Sequence, residues 1–180
     1  AVFNFSIHPG EKVMLWGRTG RGKSLLIHVV LGNWLWARGR IIRPEELLVI
    51  PQRAYLPIGS LRAILVYPQP VIGDSFQRYQ EVFKGCRIEH LMDQLDTIRD
   101  WQAELSLGEQ QCVQLARVIL AMPSTVILDE PTSAMDPELT TQIMSFFRKK
   151  LAKSTILTIT HNQALIAWHD RCENCDIIVE

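Results

Sequence analysis

"KVMLWGRTGRGKSLLIHVV", residues 12–30, changes character twice within a short span. Its opening residues are apolar apart from Lys12, as a buried strand requires, and its closing residues carry the apolar periodicity of a helix. Between them lies "GRTGRGKS", residues 17–24, which matches G-x-x-x-x-G-K-[ST] in the strand-to-helix context that this motif requires. Gly17, Gly20 and Gly22 let the backbone wrap an anion, and the helix N-terminus presents unpaired N–H groups to it. Lys23 reaches β- and γ-phosphates, Ser24 ligates magnesium, and Arg18, Thr19 and Arg21 fill the remaining positions. A glycine-rich turn with no ligand is the plainer reading, and the flanking strand and helix weigh against it.

Outward from this loop the chain alternates strands with helices. "LLVIPQ" (47–52), "TVILDE" (125–130) and "STILTIT" (154–160) are short, mostly apolar runs of the kind that form strands buried on both faces. "EQQCVQLARVILAM" reads as a helix stopped by Pro123, and "PELTTQIMSFFRKKLAK" as one with an apolar face at Leu139, Ile143, Phe146, Phe147 and Leu151. The alternation predicts an α/β fold, a mainly parallel sheet flanked by helices with ligands at the carboxyl ends of the strands. "FNFSI" (3–7) alternates apolar and polar residues and predicts a half-buried strand in a short antiparallel N-terminal part, turned by "HPGE". Between residues 60 and about 104, "SLRAIL", "SFQRYQEVF" and "RIEHLMDQL" are short helical patterns broken by prolines and glycines. They predict a small helical subdomain inside one domain spanning residues 1–180.

"LSLGEQQ", residues 105–111, places Ser106 three positions before Glu109, the spacing of a capping box. Gly108 sits in the first turn of the same helix, a position where glycine costs stability unless something approaches the backbone closely.

Composition excludes several classes. Lysine plus arginine and aspartate plus glutamate number 19 each, so no global field draws the chain to nucleic acid or an anionic membrane. The longest apolar stretch, Leu25 to Trp36, is interrupted by His28, Gly32 and Asn33 and falls short of the roughly 18 residues a membrane span needs. "AVFNFSIHPG" lacks the basic and apolar regions of a secretory signal. Cys172 and Cys175 form a lone C-x-x-C, half a zinc site, and read as structural thiols in a reducing compartment.

"TVILDE" ends in two carboxylates where a buried strand emerges, and buried charge needs a partner. Asp129 is placed to hold Mg²⁺ and Glu130 to polarise an attacking water; the alternative is a strand that ends in an exposed acidic turn. Gln52 and His161 follow other strands at what is expected to be the same sheet edge. Each taken alone reads as a hydrogen-bonded structural residue. Beside Asp129, Gln52 can ligate the metal or orient water, and His161 can donate to a γ-phosphate oxygen.

The order phosphate loop, Gln52, "LSLGEQQ", "VILDEP", "SAMD", His161 resembles the nucleotide-binding domain of ATP-binding cassette (ABC) proteins over almost the whole chain. "LPIGSLRAILVYPQ", the "DW" before "LSLGEQQ" and the "HDR" that ends at Arg171 are similar to the D subfamily and its bacterial relatives, which include transporters of fatty acyl-CoA, cobalamin or peptides. The resemblance implies that residues 17–24 form the Walker A loop and Asp129 and Glu130 complete Walker B. It makes Gln52 the Q-loop residue, Asp136 the D-loop aspartate and His161 the switch histidine. Ser106, Leu107, Gly108 and Glu109 would be the signature, facing the ATP of a second such domain in a head-to-tail dimer.

Leu107 stands where the commonest signature has glycine, Glu109 where it has glutamine, Cys112 where arginine often follows, and Arg21 where the loop has a small residue. The family's adenine-stacking aromatic belongs upstream of Ala1, so the chain is expected to be a fragment of a longer protein with a membrane domain. The implied function is the ATP-binding and ATP-hydrolysing domain of a half-transporter, with ATP and Mg²⁺, on the cytoplasmic face of a membrane such as the bacterial inner membrane. Its expected partners are a second copy and a membrane-spanning domain, and no nucleic acid. A soluble ABC ATPase acting on nucleic acid or ribosomes, and a nucleotide-binding module that does not hydrolyse, are the competing readings.

Overall fold

The computed structural model describes residues 4–17, 23–33, 38–67 and 75–174. In chain order the elements are β1 (Lys12–Trp16), α1 (Lys23–Val30), β2 (Leu48–Ile50), β3 (Gly59–Ser60), α2 (Leu61–Val66), α3 (Phe76–Gly85), β4 (Ile98–Arg99), α4 (Trp101–Glu104), α5 (Leu107–Ala121), β5 (Thr125–Asp129), α6 (Pro137–Lys150), β6 (Thr155–Thr160) and β7 (Arg171–Asn174). Two 3₁₀ turns lie at Glu89–Gln94 and Gln163–Trp168. The chain divides into two compact units.

The first unit comprises residues 1–52, 123–131 and 153–180. Its strands run in the order β2-β5-β6-β1-β7 and every pairing is parallel. Parallel strands need crossover connections that cover the faces, which is why the central strands are apolar on both sides. Val13, Leu15, Ile127, Leu157 and Ile159 pack with Ile27 of α1 in one buried cluster. Met14, Val126, Leu128 and Ile156 are as deeply buried on the other face. Lys12, almost fully buried, is tied at both ends, its N–H donating to Asp170 and its Nζ to the Gly10 carbonyl.

Residues 4–7 are not a strand, which corrects the expected antiparallel N-terminal part. β1 is already flanked by β6 and β7, so the segment has no edge of β1 to pair with. Phe5 and Ile7 instead pack against the core cluster, and Arg171 stacks on Phe5 and donates to the Ser6 carbonyl. One-sided burial of an extended segment produces the same alternation as a ladder.

The second unit comprises residues 53–122 and 132–152 and contains the 60–104 stretch. β3 and β4 make a two-residue antiparallel ladder, and the Trp101 indole at its foot donates to the Gly59 carbonyl at 2.9 Å. Trp101, Tyr79, Phe83 and Phe147 are its largest fully buried side chains. Helix starts are set by side-chain caps at Ser60, Ser75, Asp100, Ser106 and Asp136, each accepting from the backbone three residues on. Gly85 ends α3 against α6, where a Cβ would lie 2.1 Å from the Phe146 ring. "RIEHLMDQL" forms a 3₁₀ turn rather than an α-helix. The stripe of α6 is buried at Ile143 and Phe147, joined by Thr140 and Met144, with Leu151 buried just beyond it and Leu139 and Phe146 half-buried at its margin.

Candidate functional site: the carboxyl edge of the parallel sheet

Strand register brings the predicted residues of the first unit to one edge. Trp16 lies level with Thr160, Asp129 with Ile159, and Ile50 with Leu128. Gly17, Glu130 and His161 therefore follow directly on strands that end side by side, with Gln52 two residues beyond β2 and Asp129 the last residue of β5. Lys23 and Ser24 open α1, and Arg18, Thr19, Gly20, Arg21 and Gly22 lie outside the described residues. Asp129 is 7% exposed and Glu130 8%, while Gln52 is exposed.

Glu130 is held by the end of β6. Its backbone N–H donates to the Ile159 carbonyl at 2.8 Å, and its carboxylate receives the Thr160 hydroxyl at 2.8 Å and the His161 N–H at 3.0 Å. His161 Nδ1 lies 2.7 Å from the same Oε1 that accepts the backbone N–H. With the carboxylate ionised, Nδ1 must carry the proton in this contact. Glu130 also sits at φ +47°, in the left-handed region that an L side chain rarely adopts. Such backbone costs about 1–3 kcal/mol and persists only where its surroundings over-determine it. Here the last two residues of β6, Ile159 and Thr160, and His161 just after it do so.

The residues expected to form the signature and the D-loop belong to the second unit. Ser106 caps α5: its Oγ accepts the Glu109 N–H at 3.3 Å, while Glu109 Oε2 accepts the Ser106 N–H at 3.0 Å and its hydroxyl at 2.6 Å. The Ser106 hydroxyl holds the Glu109 carboxyl below its ordinary 4.5, helped by the Ser106 N–H and by His90 at 2.9 Å, against partial burial. Leu107 is 70% exposed. At Gly108 a Cβ would meet the Ala134 carbonyl at 3.0 Å, so one close approach to this glycine comes from the 132–135 turn of its own unit. Gln111 pins the same turn, donating to Ser133 Oγ and accepting the Ala134 N–H at 3.0 Å. Asp136 ends the turn and caps α6, its Oδ1 accepting the Leu139 N–H at 2.8 Å.

The family of the chain follows from this order of elements together with direct comparison. A sequence profile described as "ABC transporter" matches residues 2–133. The chain belongs to the ABC transporter family. An uncharacterized ABC transporter ATP-binding protein of Haemophilus influenzae is 32% identical over 169 residues, which is 93% of this chain and 28% of that protein. ATP-binding cassette sub-family D member 3 of Homo sapiens is 33% identical over 177 residues, 93% of this chain and 27% of that protein. Among solved structures, a bacterial Atm1-family ABC exporter with ATP bound superposes with a TM-score of 0.79 at 25% identity, over 92% of this chain and 32% of that one. The chain thus spans between a quarter and a third of the length of these relatives. It is an ABC ATP-binding domain, with the parallel sheet and flanking helices of the P-loop nucleotide-binding proteins.

Sequence reasoning missed Thr160, His90 and Gln111. Thr160 reads as one more polar residue of a strand, and His90 as a surface residue of a short helix. Gln111 follows Gln110 with nothing to distinguish them, although its side chain binds a turn 22 residues further on. Among the described residues no three His, Cys, Asp or Glu converge as a metal cage. Cys86 and Cys112 are buried and their thiols are pushed up by burial, Cys112 to about 12. Cys175 lies outside the described residues. No helix among them is long and apolar enough to cross a membrane.

Proposed function

We propose that the chain binds and hydrolyses ATP at the carboxyl edge of its parallel sheet and powers transport by a longer polypeptide. The observation that carries this reading is the Glu130–His161 contact at 2.7 Å at the end of β6. Glu130 takes the proton of the attacking water as general base, and His161 bridges it to the γ-phosphate. With Nδ1 donating to Glu130, the other ring nitrogen donates to a phosphate oxygen only as the imidazolium. Residues 17–24 would cradle the phosphates, Lys23 neutralising the β/γ pair.

Magnesium suits the donor set on this edge. Asp129 and Gln52 would supply hard oxygen atoms, as the hydroxyl of Ser24 in the phosphate-loop motif would, and the nearly buried carboxylate of Asp129 is the charged member. Magnesium is characteristically held by one or two carboxylates together with substrate phosphates, where it would neutralise charge developing on them.

In the same reading Ser106, Leu107, Gly108 and Glu109 face the nucleotide of a second copy, with Asp136 nearby on the dimer contact, and residues 60–104 are a helical subdomain. The membrane-spanning partner is part of the same polypeptide, and the assembly sits with this domain on the cytoplasmic side, in bacteria at the inner membrane. The test is phosphate release and ATP binding by the complete polypeptide and its Glu130→Gln variant. Retained binding with lost release is expected. Release at the wild-type rate would remove Glu130 as the base.

A further inference from the structure

Thr160 is 1% exposed, and its hydroxyl has a fixed direction. Oγ1 accepts the Asn162 N–H at 3.0 Å, so its single proton points the other way, at Glu130 Oε2 2.8 Å distant. Asn162 is itself held, its side chain accepting the Ala164 N–H at 3.0 Å as the cap of the 3₁₀ turn that follows. The two Glu130 oxygens are therefore treated differently. Oε2 is anchored inward by a buried hydroxyl, and Oε1 is turned to the half-exposed His161. Rotation of the carboxylate about its last bond would exchange them, and the Thr160 hydroxyl, donating to Oε2, opposes this rotation.

We propose that Thr160 is a positioning residue for Glu130, fixing which carboxylate oxygen meets His161 and the attacking water. This rests on the reading of Glu130 as general base. A hydroxyl that aims a base acts through geometry at the reacting atoms, where a displacement of about an ångström costs on the order of a hundredfold in rate. Buried behind Glu130, it acts through that carboxylate, so its loss is expected to lower kcat and leave KM for ATP unchanged.

Thr160→Val keeps the shape and removes the hydroxyl, whereas Thr160→Ser keeps the hydroxyl and removes a methyl group. Positioning and packing therefore rank the two variants in opposite order. In the complete polypeptide, phosphate release per folded molecule is expected to fall roughly ten- to a hundredfold in Thr160→Val, with KM unchanged, and to stay within about twofold of wild type in Thr160→Ser. Thermal melts run alongside count the folded fraction, and Thr160→Ala replaces valine with the same expected loss if valine does not fold. A serine variant as slow as the valine one, or a valine variant at the wild-type kcat, would overturn the proposal. Glu130→Gln separates this from failure of the underlying reading: if that variant still turns over, Glu130 is not the base, whereas if it is dead while Thr160→Val is fully active, only the role of Thr160 is wrong.

Discussion

Two glutamates, one in each unit, are held by the same three kinds of donor. Glu130 receives the Thr160 hydroxyl, the His161 backbone N–H and the His161 ring; Glu109 receives the Ser106 hydroxyl, the Ser106 backbone N–H and the His90 ring. What differs is where the donors come from. For Glu109 the hydroxyl and the N–H lie three residues away in one turn of helix, and the side chain is 33% exposed. For Glu130 these three donors lie 30 or 31 residues away, at the end of another strand, the side chain is 10% exposed, and its own backbone is left-handed. A local arrangement costs little and works as a cap. The long-range one is paid for by a buried sheet and a strained residue, a combination that recurs where a group must be aimed at a reaction.

The largest test of this contrast is the same substitution at both positions. Glu130→Gln is expected to lower phosphate release by about 10²–10⁴-fold, the usual span of general-base catalysis. Glu109→Gln is expected to lower it by less than about tenfold, since the amide oxygen still accepts both Ser106 bonds. Equal losses would erase the distinction between cap and base.

Ser106→Arg sharpens it from the other side. The bulky cation would fill the space in front of α5, so turnover by the paired domains should be lost while each copy still binds ATP at its own phosphate loop, as read by equilibrium binding. Turnover unchanged by the arginine would take the start of α5 out of the composite site.

Smaller effects are expected in stability. Ser106→Ala removes the capping hydroxyl and should lower the unfolding free energy by about 1 kcal/mol in urea titrations. A change near zero would mean that the Glu109 side chain holds the Ser106 N–H without help.

The smallest expected effect is on acid stability. The Glu109 carboxyl titrates below its ordinary 4.5 in the folded chain, so its contribution is complete above that value and is lost as pH falls through the lower folded value. Glu109→Gln lacks this loss, and the stability gap between it and wild type should narrow as pH drops below 4.5. A gap that stays constant to about pH 3 would show that Ser106 and His90 do not stabilise the ionised carboxylate.

Much of the fold was legible because its signals are local. Apolar runs marked β1, β2, β5 and β6, Pro123 ended α5 a residue after the left-handed Met122, and S-x-x-E placed the cap at Ser106. The N-terminal segment was misread because an extended strip with one buried face has the same periodicity as a paired strand. Gly108 was legible as a position that something must approach, but the carbonyl of Ala134 could not be named from spacing.

By itself the sequence determined the phosphate-loop pattern, the alternation that makes a parallel sheet, and the carboxylates and imidazole available at its strand ends, because residue type and nearest-neighbour spacing suffice for these. Only the tertiary structure decided that β5 and β6 lie side by side, and therefore that Thr160 and His161 are the groups that hold Glu130. The physical reason is that strand order is set by which buried faces and crossovers fit together over the whole unit, and a hydrogen bond spanning 30 positions exists only once that order is fixed.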